Sequence, residues 1–143
     1  MFKRVLLCYD GSETGRKALK RGAELALLVN ARVHVLSVIS QAESSSIAVA
    51  NSLGPSLVIP EDEHRRSVGE CVEKLKERGV EAQGYVGRGD IIDVIAAYSR
   101  DLEVDLIVVG HYPKSSGGRW WSGPGRASLA ERVSCCVFIA TSG

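Results

Sequence analysis

The stretch Gly110–Arg126 reads GHYPKSSGGRWWSGPGR and holds the residues best suited to chemistry. Lys114, Arg119 and Arg126 supply positive charge, and Ser115, Ser116 and Ser122 supply hydroxyl donors. Gly110, Gly117, Gly123 and Gly125 carry no side chain to keep a ligand from the backbone. The stretch follows the apolar run Asp105–Val109 (DLIVV) and leads into Ala127–Val133 (ASLAERV), which reads as a short helix. A loop of this composition between a buried strand and a helix start can hold an anion. Its N–H groups point outward, and the helix dipole favours negative charge. A second candidate is Asp10, in an Asp10-Gly11-Ser12 turn after the apolar run Val5–Tyr9 (VLLCY). Asp10 has two readings, a ligand-facing carboxylate or a cap on the following helix.

Other chemistries lack their motifs. The sequence has no Gly-x-Ser-x-Gly elbow, no phosphate loop ending Gly-Lys-Ser/Thr and no His-Glu-x-x-His. Gly87-Arg88-Gly89-Asp90 is not a dinucleotide fingerprint, because Ile92 stands where the third glycine belongs. His64 is expected on a charged helix face and His111 in the glycine-rich loop, neither with a partner for acid–base work. An enzymatic role therefore ranks below binding, with slow ATP hydrolysis the enzymatic reading retained. The cysteines are Cys8, Cys71, Cys135 and Cys136, without zinc spacing. They are expected to be buried, reduced thiols, a strained Cys135–Cys136 disulfide being the alternative. No metal is implied.

The elements that must position these residues follow from length and periodicity. A chain of 143 residues fits one domain, spanning 1–143, and a chain of this size buries roughly 70% of its unfolded surface. Eighteen Lys and Arg against seventeen Asp and Glu leave no global basic field for nucleic acid or an anionic membrane. No apolar run approaches the roughly 20 residues of a membrane span. The opening MFKRVLLCYDGSE fails as a signal peptide because Asp10 ends its apolar run, so a cytosolic protein is expected.

Val5–Tyr9 is apolar on both faces, as a central strand of a parallel sheet must be. Glu13–Val29 carries Leu19, Gly22, Ala23 and Ala26 on one stripe and ends at Asn30. Arg32–Val38 (RVHVLSV) is β-branched, with His34 expected to face one layer. Ile39–Ile59 is too long for an ordinary connection. Pro60 then opens a helix with Glu61, Asp62 and Glu63 in its first turn and Gly79 past its end. Its apolar stripe is Val68, Cys71, Val72 and Leu75. Glu81–Val86 reads as an edge strand, and Asp90 as the cap of Ile91–Leu102, whose Ile92, Ile95, Ala96 and Ser99 face inward. Val137–Ala140 (VFIA) is the last strand. The alternation predicts an α/β fold, an open parallel five-stranded sheet with helices on both faces. Strand order 3-2-1-4-5 would bring the ends of the first and fourth strands together.

These segments together resemble the universal stress protein family over nearly the whole chain. VLLCYDGSETGRKALKRGAELA is similar to the family's opening strand, turn and helix. Gly87–Asp90 resembles its Gly-Asp helix start, and Asp105–Gly110 (DLIVVG) its fourth strand. The resemblance implies the 3-2-1-4-5 sheet, a homodimer formed through the last strand at Val137, Phe138 and Ile139, and an ATP or AMP site. By position, Asp10 matches the aspartate near ribose and phosphates, Val38 the residue lining adenine, and Gly110 and Gly123 the phosphate-loop glycines. Lys114, Ser115, Gly117, Ser122, Gly125 and Arg126 complete the candidate site.

ATP-binding members carry Gly-x2-Gly-x9-Gly-Ser/Thr. Here Pro113 and Pro124 take the second glycine and the Ser/Thr positions. Proline has no N–H, and each lost hydrogen bond to a charged group costs about 1.5–3 kcal/mol. Pro124 nevertheless suits the first turn of a helix, which leaves the N–H groups of Gly125 and Arg126 for an anion. Two readings stay open. One is weak or altered adenine-nucleotide binding. The other is a dimeric module without nucleotide that acts on a protein partner through Trp120-Trp121.

Overall fold

In the computed structural model, residues 2–9, 13–40, 61–111 and 125–141 are described. Five strands alternate with four helices among them: β1 (Arg4–Tyr9), α1 (Glu13–Leu28), β2 (Arg32–Ser40), α2 (Glu61–Glu77), β3 (Ala82–Gly89), α3 (Ile91–Asp101), β4 (Leu106–His111), α4 (Gly125–Arg132) and β5 (Cys136–Thr141). The strands form one parallel sheet in the order β3-β2-β1-β4-β5. The expected fold class and strand order are both present.

Alternation along the strands sorts the core into two layers. Val5, Leu7 and Tyr9 of β1 pack with Val33 and Val35 of β2 against α1 and α2. Leu6 and Cys8 pack with Leu36, Val38, Ile107 and Val109 against Ile95 of α3 and Leu129 of α4. Full burial of such side chains is worth about 1.5–3 kcal/mol each, so β1, buried on both faces, dominates the sheet.

The helices follow their sequence signals. The expected α1 stripe is buried at Leu19, Gly22, Ala23 and Ala26. Gly22 allows α1 to lie close on the sheet, for a Cβ there would come within 2.8 Å of Leu7 and 2.9 Å of Val108. Asn30, with φ of 56°, closes α1. Asp90 caps α3 by accepting from the Asp93 N–H at 3.1 Å. Within α3, Ile95 and Ser99 are buried while Ile92 and Ala96 are half-buried. At the amino ends of β1 and β4, the Asp105 carboxylate accepts from the N–H groups of Lys3 and Arg4 at 2.8 and 3.1 Å.

Three expectations need correction. β2 runs on through Ile39 and Ser40 because β3 continues beside it, pairing Ile39 with Arg88 and Ser40 with Gly89. β3 therefore runs past the expected Val86 to Gly89. Of the four thiols only Cys8 is buried; Cys71 and Cys135 are half-buried, and Cys136 is exposed, because β5 lies at the sheet edge. All four are free thiols. His64 is not on a charged surface, since only 2% of it is exposed. It continues the buried series His64, Val68, Val72 and Leu75 on α2.

Gly84 sets the approach of α2 to β3. A Cβ there would fall 2.3 Å from Val68 Cγ1 and 3.1 Å from Val72 Cγ2. Branched Val68 has little room to yield, so Gly84→Ala is expected to destabilise the fold by about 1–3 kcal/mol. Urea unfolding measures this, and an unchanged midpoint would show that α2 lifts from the sheet at no cost.

Candidate functional site

The order of the sheet places the carboxyl ends of β2, β1 and β4 side by side. Tyr9 pairs with Ser37, and Val38 with Gly87. The β1–β4 ladder pairs Val5 with Leu106 through Leu7 with Val108. Gly110 is buried and pairs with Ala140 of β5. Because β4 and β5 are parallel, α4 runs back between them, and its N-terminus at Gly125 and Arg126 lies at this same end. Leu129, fully buried against the layer of Ile107 and Val109, anchors it. Arg132 of α4 reaches Asp93 of α3 at 2.6 Å.

Of the candidate residues, Val38 of β2, Gly110 of β4, and Gly125 and Arg126 at the start of α4 lie toward the carboxyl end of the sheet. Val38 is fully buried, its side chain in the layer of Leu36 and Ile95. Asp10, Lys114, Ser115, Gly117, Ser122 and Gly123 lie outside the described residues, as do Pro113, Trp120, Trp121 and Pro124. Val137 is half-buried in the α3–α4 layer, whereas Phe138 and Ile139 are 40% and 48% exposed.

Two polar groups at this end escaped the sequence reading. Ser37 Oγ and His64 Nδ1 share a hydrogen bond of 2.9 Å, and both residues are almost wholly buried, Ser37 to 1% exposure. Leaving either group unsatisfied there would cost about 1–3 kcal/mol. Burial denies this pair a substrate, so it is a structural link between β2 and α2 and not a nucleophile with its base. The spacing of His64 with Val68, Val72 and Leu75 was the available signal. The second group is Glu61, at the start of α2, which accepts from Arg65 at 2.9 Å and also from Arg88 of β3. These hydrogen bonds hold its carboxyl below the usual range. Among the described residues no cluster of three or more His, Cys, Asp or Glu could hold a metal ion.

On β2, His34 is buried and its Nδ1 lies 3.1 Å from the Tyr85 hydroxyl. That hydroxyl donates its proton to Gln83 at 2.9 Å, so the His34 Nδ1–H donates to Tyr85. Burial, then the nearby charges of Arg32 and Arg4, lower the His34 pKa, with Glu81 opposing.

A five-stranded parallel sheet of this order, with the ends of β1 and β4 meeting where the winding reverses, defines an open doubly wound α/β domain whose ligands bind at those ends. The profile described as the universal stress protein family matches residues 1–140, and the chain belongs to that family. It is 31% identical over 150 residues to universal stress protein YxiE of Bacillus subtilis (strain 168), covering 97% of this chain and 99% of that one. Its fold is similar to that of hypothetical protein MJ0577, with a TM-score of 0.75, 22% identity and coverage of 99% and 96%. A universal stress protein solved in complex with cAMP matches with a TM-score of 0.69, 19% identity and coverage of 99% and 98%.

The His34 environment gives a pH dependence with a defined sign. Its native pKa lies below the ordinary imidazole value of 6.5. The unfolded chain therefore takes up a proton before the native chain does. Stability from the neutral ring is complete above that value and is lost as pH falls from it through the lowered native pKa. The urea midpoint of the wild type should drop more between pH 7.5 and 5.5 than that of His34→Gln. Parallel declines would remove His34 as the linked group.

Proposed function

We propose that this universal stress protein binds an adenine nucleotide, ATP or AMP, weakly at the carboxyl ends of β1 and β4. What supports this reading is the order of the sheet, which sets the carboxyl end of β1 beside that of β4, with Gly110 near the end of β4 and α4 next among the described elements. Phosphate oxygens would meet the first N–H groups of α4 and the positive end of its dipole. Asp10, carried at the end of β1, would face the ribose. The relative bound to cAMP adds support, since cAMP is itself an adenine nucleotide. Pro113 and Pro124 set the expected strength, because two lost hydrogen bonds move a micromolar site towards millimolar. The same prolines favour the second reading, a module of this fold that has given up nucleotide and acts on a protein partner. The four free thiols suit the reducing cytosol.

Calorimetric titration with ATP, ADP and AMP, after removal of co-purified nucleotide, separates the two readings. Binding is expected near the upper micromolar range, and Lys114→Ala with Arg126→Ala should weaken it several-fold. Unchanged affinity in that variant would remove the loop from the mechanism. No binding up to millimolar nucleotide would favour the protein-partner reading.

Assembly is the second part of the proposal. β5 is an edge strand, and an exposed edge bearing Phe138 and Ile139 is a template for pairing with a second copy. Phe138→Asp or Ile139→Asp should convert a homodimer to monomer or insoluble protein, as read by light scattering. A soluble, undisturbed dimer would rule out assembly through β5.

A further inference from the structure

A groove of about 460 Å³ runs between α1 and α2, on the opposite face of the sheet from the side chain of Val38. Its floor is apolar, formed by Tyr9 of β1, Leu19 and Ala23 of α1 and Leu75 of α2. Its walls are strongly basic. Arg16, Lys17 and Lys20 line one side, and Lys74 and Arg78 the other. Among the described lining residues these five cations, of which Arg16 has a partner of its own, face two carboxylates, Glu70 and Glu77. The whole chain is near neutral, with a net charge of +1, so this excess is local.

Cys71 reports how the walls converge. Burial pushes its thiol up to about 11, while Lys74 from α2 and Arg16 from α1 both act to lower it. Cations of two different helices therefore bear on one half-buried point in the groove. Long basic side chains lay their methylene stems along apolar surface and keep their charges at the rim. An apolar trough with a cationic rim is complementary to a molecule with an apolar body and a negative end. The volume falls within the range of small-molecule sites, about 300–1,000 Å³. It is small for a protein interface, and a recess between two helices does not present a flat face to a bilayer.

We infer that the α1–α2 groove binds a free single-chain amphiphile with an anionic head, its tail on Tyr9, Leu19, Ala23 and Leu75 and its head among Lys20, Lys74 and Arg78. Carboxylate and phosphate heads share the required charge. The groove lies on the α1–α2 face of the sheet, with Tyr9 at its floor, and does not depend on nucleotide binding at the strand ends.

The test uses the full chain and four probes below their micellar concentrations: dodecanoate, dodecyl phosphate, dodecanol and dodecyltrimethylammonium. Calorimetry should show that one or both anions bind about tenfold or more tightly than the alcohol and the cation. Dodecanoate alone would identify a carboxylate ligand, and dodecyl phosphate alone a phosphate ligand. The methyl resonances of Leu19 and Leu75 should shift, and those of Ile139 should not. Lys20→Glu with Lys74→Glu should abolish the preference for anions while circular dichroism stays unchanged; if that pair fails to fold, Lys20→Gln with Lys74→Gln serves the same purpose. Equal affinity for all four probes, no binding, or shifts confined to Ile139 would overturn the inference. So would retention on phosphatidylglycerol vesicles without binding of the monomeric anions. Binding that appears only after residues 41–60 are replaced by a Gly-Ser linker would assign the groove to the chain's own segment, and would overturn it as well.

Discussion

The double-sided burial of β1 is the constraint from which the rest follows. Val5, Leu7 and Tyr9 must be covered on one face, and Leu6 and Cys8 on the other. β1 also has a parallel neighbour on each side, β2 and β4. Right-handed crossovers leaving in opposite directions from a central strand put their helices on opposite faces. Hence α1 and α2 cover one layer, and α3 and α4 the other. The winding reverses between β1 and β4, so their carboxyl ends lie side by side.

Polar contacts then fix where the ends of elements lie, without supplying much of the stability. Asp105 ties β4 to the start of β1 through two backbone N–H groups. Glu61 ties the start of α2 to the end of β3 through Arg88. The Glu61–Arg88 ion pair is screened by solvent, and both contacts contribute far less than the apolar layers beneath them. The Ser37–His64 bond differs because it is inside. A buried hydrogen bond penalises any arrangement of α2 in which it is broken, so it favours one register of that helix over β2 in a way that interchangeable valines cannot.

Much of this architecture was legible in the sequence because it rests on periodicity. The stripes of α1 and α2, the Asp90 cap, the doubly apolar β1 and the edge position of β3 are all short-range patterns. The errors have two causes. His64 looked polar among charged neighbours, and its place in an i, i+4, i+8 series was overlooked. Cys136 looked apolar, yet the strand it opens has no neighbour on its outer side. Extension of β2 to Ser40 depends on β3 being long enough to pair with it. The His64 series was local and was missed, whereas the last two outcomes are decided by a partner distant in sequence. The same is true of the basic groove: Arg16, Lys17 and Lys20 read as an ordinary solvated face until α2 brings Lys74 and Arg78 alongside.

The candidate nucleotide site divides in the same way between scaffold and loop. Its fixed part is the backbone at Gly110 and the start of α4, and the hold on α4 is slender. Among its described side chains Leu129 alone is buried, and Arg132 adds one partly exposed ion pair with Asp93. An eight-residue helix is marginal by itself and depends on such packing. Pro113 and Pro124 each lack an N–H that a phosphate could use. The sheet at this end rests on the buried layers of β1 and β4.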